Sequence, residues 1–244
     1  MHLLTGNETG LLLLDYICSQ RLKHGAMPEK PVLVKTIVTT DMAERIAEKY
    51  GVETVNVLTG FKFIGEKIGE LEKLGHAERY IFGFEESYGY LSGSHVRDKD
   101  AVNAAFLICE MFAFYKARGV TLWQKLNELY AEYGCCLNTL HSYTFEGAAG
   151  FETMQRIMAD FRGGLTAIGP KQIVKTLDYL PGLDGLPKSD VLKFLLEGGC
   201  SVVVRPSGTE PKLKAYFSIS ADSREEAEKL ERTLSGTLAG MFTA

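Results

Sequence analysis

No apolar stretch in the sequence approaches the ~20 residues that a membrane-spanning helix needs. The run GLLLLDYI, residues 10–17, is too short and has no basic leader, so neither a span nor a signal peptide is expected. Positive charge is not in excess either. Lys and Arg number 27 against 31 Asp and Glu, a formal net charge of −4, which argues against a duplex nucleic-acid binder with its basic footprint. A local cluster of cations for a small phosphorylated ligand stays open. Cysteine is sparse: Cys18, Cys109, Cys135, Cys136 and Cys200 are an odd number without repeated spacing. The adjacent pair Cys135–Cys136 suits neither CxxC redox chemistry nor a zinc knuckle. Free thiols in a reducing compartment follow, and the protein is expected to be cytoplasmic, with no membrane and no nucleic-acid partner. No internal repeat or low-complexity segment is visible.

What is there is a chain of 244 residues, 45% hydrophobic and 24% charged, enough for one large domain or two ordinary ones. Its first half alternates helix and strand. NETGLLLLDYICSQRLKHG has helical spacing, Asn7 as a possible cap and Gly25 as a stop. KPVLVKTIVTT, VETVNVLTG and RYIFGF read as strands, with TDMAERIAEKYG and GEKIGELEKLG as the helices between them. DAVNAAFLICEMFAFYKARG is apolar nearly all round and is expected to be a buried helix, followed by the helix TLWQKLNELYAEYG. This grammar predicts an α/β fold, a mostly parallel sheet with helices on both faces. After Gly134 the pattern becomes α+β. SVVV and LKAYFSI are two strands joined directly by a loop, hence an antiparallel sheet, and SREEAEKLERTLSGTLAGMF closes the chain as a helix capped by Ser223 and Glu226. The expected domains are residues 3–136 and 137–244.

Four loops hold chemistry beyond what a turn requires. RPSGTEPK, between those two strands, offers the rigid guanidinium fork of Arg205, the hydroxyls of Ser207 and Thr209, and Gly208, where backbone amides can approach an anion. Lys212 and Lys214 add positive potential; the same residues also suit a solvated hairpin. GFEESYGY, residues 83–90, follows a strand, where open α/β sheets bind ligands. If it stays extended, Glu85 and Ser87 share one side and Glu86 takes the other, a pair able to grip adjacent sugar hydroxyls. LTGFKFIG, residues 58–65, presents Thr59, Gly60, the apolar wall of Phe61 and Lys62. GSHVRDKD, residues 93–100, mixes His95, Arg97 and Lys99 with Asp98 and Asp100, whose carboxylates equally suit a helix N-terminus.

Taken together these loops resemble the α-D-phosphohexomutase family, the phosphoglucomutases and phosphomannomutases. RPSGTEPKLK is similar to that family's carboxy-terminal phosphate loop, GFEESYGY to its sugar loop, LTGFKFIG to its specificity loop, and LLTGNETGLLLLDYI to the start of its third domain. The resemblance implies four-domain enzymes that move a phosphoryl group between O1 and O6 of a hexose, through a phosphoserine and a hexose 1,6-bisphosphate, with Mg²⁺. Carried over by position, Arg205, Ser207, Gly208 and Thr209 hold the phosphate that is not transferred. Glu85 and Ser87 bind the hydroxyls at O3 and O4, and Thr59 and Gly60 touch the sugar. Lys99, with His95 beside it, is the candidate acid/base or charge stabiliser. Lys35 is a weaker candidate for the same region, the alternative being a strand lysine facing solvent. No TASHNP-like segment supplies a phosphoserine and no DGDADR-like segment supplies metal-binding aspartates. The chain is therefore expected to be domains three and four, to bind no metal itself, to take a hexose phosphate substrate, to need the N-terminal domains as partners and to be inactive alone. A stand-alone phosphosugar-binding or regulatory module is the alternative.

Overall fold

The computed structural model describes residues 3–208 and 210–243. The chain divides between Tyr133 and Gly134 into two compact units.

The first unit opens with helix α1, Gly6–Lys23. Its cap is Thr5, two residues before the expected Asn7. The Glu8 amide donates to Thr5 Oγ1 and the Thr5 amide donates to Glu8 Oε2, a reciprocal capping box. Asn7 instead accepts from the Thr40 amide through its Oδ1. Strands β1 (Val32–Thr36), β2 (Glu53–Val57) and β3 (Tyr80–Glu85) alternate with helices α2 (Met42–Lys49) and α3 (Phe61–Lys73). β4 (Gly89–Leu91) turns back on β3. Sheet order is β2-β1-β3-β4, with β1 parallel to β2 and β3, and β4 antiparallel to β3. β1 and β3 are buried throughout and Leu11–Leu14 of α1 have no exposed surface. The parallel run places the carboxyl ends of β1, β2 and β3 along one edge, and the loops that follow them share that edge.

α4 (Ala101–Lys116) and α5 (Leu122–Tyr133) complete the unit. The expectation that α4 is buried all round is corrected here. Only Ala104, Met111 and Tyr115 are buried, whereas Val102 is 80% and Phe106 68% exposed. An all-round apolar sequence says that a helix tolerates burial, not how much neighbouring surface this unit has to cover it.

The second unit is a six-stranded antiparallel sheet in the order β5-β10-β9-β8-β7-β6. The strands are β5 (Cys135–Thr144), β6 (Ala167–Ile168), β7 (Lys171–Asp178), β8 (Leu192–Leu196), β9 (Cys200–Pro206) and β10 (Lys212–Ala221). Alternate residues Leu213, Ala215, Phe217 and Ile219 of β10 enter the core, as the period of two requires. Met154, Ile157 and Phe161 of α6 (Gly147–Arg162) and Leu234, Leu238 and Phe242 of α7 (Arg224–Thr243) belong to the same core. Each such side chain stabilises the fold by about 1.5–3 kcal/mol when fully buried. The unit starts three residues before the expected boundary, because Cys135 and Cys136 already pair with Ala221 and Ser220.

Candidate functional site

In the first unit the sugar-loop sequence forms a tight hairpin and not an extended segment. β3 ends at Glu85, β4 begins at Gly89, and Glu86, Ser87 and Tyr88 make the tip. Tyr88 takes φ +62, the left-handed residue that a three-residue connection uses to re-enter its partner strand. The strand-parity argument thus ends at Glu85. Ser87 is exposed at the tip, and Glu85 is buried below it. Two tyrosines tie the hairpin to the start of α1: Tyr88 Oη donates to Leu4 O (3.1 Å) and Tyr90 Oη donates to Gly6 O (2.8 Å).

The loop after β2 meets Glu85 directly. Gly60 caps α3 with φ +123 and ψ +127, and its amide donates to Glu85 Oε1 at 3.1 Å. One residue earlier, the Thr59 hydroxyl is buried without a hydrogen-bond partner. Such a group is costly as long as it has no partner. From the other side Lys99 Nζ stands 3.7 Å from Glu85 Oε2 and 3.7 Å from Asp98 Oδ1. The same ammonium lies 5.8 Å from the centre of the Phe61 ring, a cation–π distance. The structure therefore brings together Glu85, Gly60, Lys99 and the Phe61 wall, with Thr59 adjacent in the chain.

Two other candidates lie elsewhere in their bonding. His95 Nε2 is 3.1 Å from Asp100 Oδ2, and Asp100 caps α4 by accepting from the Val102 and Asn103 amides. The Asn103 amide, and after it His95, hold the Asp100 carboxyl below the usual carboxylate range. His95 is thus part of a helix cap. Lys35 neither faces solvent nor joins Glu85 and Lys99. It is fully buried, with Nζ bonded to Thr39 O (3.2 Å) and paired with Asp41 (3.3 Å) and Glu44 (3.1 Å). Those partners come from the turn and helix after β1, which a reading of β1 alone does not see.

In the second unit the phosphate-loop sequence is the tip of the β9–β10 hairpin. Arg205 pairs with Lys214 across the strands, and the Ser207 amide donates to Lys212 O at 2.7 Å. Arg205 Nη2 donates to Tyr216 Oη at 3.0 Å, and the guanidinium carbon lies 5.6 Å from that ring. Its Nε is buried and without a partner. A guanidinium steadied at one end with an unused donor is suited to an anion. Gly208 has open space around it and no positive φ, so it offers access and not an unusual backbone. Lys212 spends its charge on Glu210, at 2.8 Å, and that hydrogen bond lowers the Glu210 carboxyl. Thr209 lies outside the described residues.

Sequence reasoning missed Tyr88, Tyr90 and Tyr216. Tyr90 and Tyr216 carry a hint in hindsight, since a tyrosine with a buried ring must place its hydroxyl on a partner, whereas Tyr88 is exposed and carries none. Among the described residues no group of three or more His, Cys, Asp or Glu is arranged to hold a metal ion. The described residues do not fit Mg²⁺. Nor is any helix among them long and apolar enough to cross a membrane.

Residues 5–133 match the family model described as phosphoglucomutase/phosphomannomutase, alpha/beta/alpha domain III, and residues 146–235 match the C-terminal domain of the same family. A phosphoglucomutase of Staphylococcus saprophyticus is 35% identical over 233 residues, covering 91% of this chain and 41% of the relative. One from Staphylococcus aureus is 37% identical, covering 92% of this chain and 42% of its own length. The chain thus spans about two fifths of the length of the curated relatives it matches. The crystal structure of Paramecium parafusin, a phosphoglucomutase in its open form, shares the fold at TM-score 0.67 and 18% identity, over 98% of this chain and 42% of that one. Two domain models matched in order along the sequence, with relatives 35% and 37% identical over nine tenths of it, have one common explanation: the chain belongs to the phosphoglucomutase/phosphomannomutase family and contains its domain III and its C-terminal domain.

Proposed function

We propose that this chain is the substrate-recognition part of a phosphoglucomutase/phosphomannomutase, an enzyme that interconverts hexose 1-phosphate and hexose 6-phosphate through a phosphoserine and a hexose 1,6-bisphosphate. The observation that carries the reading is the Glu85 site: a buried carboxylate held by the Gly60 amide at 3.1 Å and faced by Lys99 at 3.7 Å, with Thr59, whose hydroxyl is unpartnered, one residue before Gly60. A sugar satisfies all three. Its adjacent hydroxyls donate to Glu85 and exchange hydrogen bonds with Ser87 and Thr59, while Phe61 supplies an apolar wall. Lys99 stabilises charge at the reacting oxygen or passes it a proton. His95 stays with Asp100, and Lys35 with Asp41 and Glu44. Arg205, Ser207, Gly208 and Thr209 take the phosphate that is not transferred. The EES triplet leans towards glucose phosphates, with mannose phosphate as a second substrate.

Phosphoryl transfer needs a nucleophile and neutralised charge as well as positioning. This chain carries neither the family's serine segment nor its aspartate segment, so its part is recognition. A coupled assay that converts glucose 1-phosphate to a detectable 6-phosphate is expected to read background with the pure chain. Turnover that co-purifies with the chain and is lost in Glu85→Ala would overturn this assignment.

A further inference from the structure

Gly65, in the second turn of α3, has no positive φ, so its lack of a side chain does not serve backbone conformation. It serves contact. A Cβ at this position would stand 2.2 Å from the Arg97 carbonyl oxygen and 3.0 Å from its carbonyl carbon. The segment that joins β4 to α4 thus rests backbone against backbone on α3. Arg97 fastens it once more, through Nη2 to Glu72 farther along α3, while its Nη1 donates to Ser94 O at 2.6 Å within the segment itself. Two residues after Arg97 comes Lys99, whose ammonium faces Glu85 and the ring of Phe61, the first residue of α3. One helix therefore supports the segment at Gly65 and the lysine at Phe61.

We propose that Gly65 is a positioning residue for Lys99: it sets the depth at which residues 93–99 lie on α3, and with it the Lys99–Glu85 separation. The consequence for sugar recognition rests on the function proposed above; the placement of Lys99 does not. Alanine at this site falls about 1 Å short of ordinary van der Waals contact with the Arg97 carbonyl. The opposing atom is backbone, so the segment has to lift. A misplacement of about that size can cost a catalytic centre on the order of a hundredfold.

The test uses the isotope-labelled chain and its Gly65→Ala variant, with Gly69→Ala as the matched control, since Gly69 has nothing within 4 Å of its Cβ position. Nuclear Overhauser contacts between the Phe61 ring and the Lys99 methylenes are read without ligand, and glucose 6-phosphate and inorganic phosphate are then titrated separately. In Gly65→Ala the Phe61–Lys99 contacts should disappear, and amide shifts should change only at residues 59–67 and 92–100. The glucose 6-phosphate response should weaken about tenfold or more, with the inorganic phosphate response unchanged. Retained contacts overturn the proposal. So do shift changes spread through β1 and β3, which would mark Gly65 as a packing residue for the whole unit. If the wild-type chain ignores glucose 6-phosphate, the proposed function fails and the Phe61–Lys99 contacts alone decide this one. Should Gly65→Ala not fold, Glu72→Ala removes the Arg97 tie from the solvent side. Weakened Phe61–Lys99 contacts then support the proposal, and unchanged ones overturn it.

Discussion

Gly60 gives the sharpest test of the local account. It holds φ +123 and ψ +127 at the start of α3, a region that L residues almost never occupy. An alanine Cβ would meet nothing nearer than 3.9 Å, so sterics outside the residue add nothing. The whole cost of Gly60→Ala is backbone strain, about 1–3 kcal/mol. The backbone can escape only by turning the amide away from Glu85 Oε1, which forfeits a bond to a charged acceptor of about 1.5–3 kcal/mol. Either route predicts about 2 kcal/mol lost. Gly69→Ala, mid-helix in open space, should instead stabilise by about 0.5–1 kcal/mol. Urea unfolding followed through amide signals of β1 and β3 isolates the first unit and gives both values. A Gly60→Ala cost below about 0.5 kcal/mol, or the same sign for both variants, would refute the reasoning.

Three further outcomes are expected. The Asp100 carboxyl is held down by the Asn103 amide and by His95, so its cap is present above the ordinary aspartate range and is lost as pH falls through the lowered value. The Val102 and Asn103 amide signals should titrate there, and Asp100→Asn should abolish the titration while keeping the cap. Burial pushes the Cys18 thiol up to about 12 and raises that of Cys200, and Cys109 is the exposed thiol of the five. Ellman's reagent at pH 8 should therefore label Cys109 rapidly in the native chain and all five in denaturant. Fast native labelling of Cys18 would contradict the packing of α1. Val102→Ser and Phe106→Ser should each change stability by no more than about 0.5 kcal/mol; a loss above about 1.5 kcal/mol would mean that the face of α4 bearing these two residues is covered.

The alternation of strands and helices in the first half was legible because each element carries its own period and its own glycine stop. The antiparallel second half was equally legible in SVVV and LKAYFSI. β4 was not, since three residues inside a glycine-rich loop have no period to read. Exposure of α4 was illegible for a different reason, as composition reports what a helix can bury and not what it meets. At the site, Glu85, Gly60, Lys99 and Phe61 were named from sequence and do converge. Lys35 was misread because its partners Asp41 and Glu44 come from the turn and helix that follow. Arg205 was legible as a donor, but Tyr216, which steadies it, sits across the strand pair. Pairings of this kind are set by register, which no single segment contains.

The central claim is that these two loops recognise a phosphosugar, and a titration of glucose 6-phosphate into the isotope-labelled chain addresses it most directly. The account predicts saturable amide shifts at residues 83–90 and 205–208, with a Kd on the order of millimolar. It further predicts that Glu85→Ala abolishes the first set and Arg205→Ala the second. Shifts that never saturate to tens of millimolar, or that persist in both variants, would contradict it.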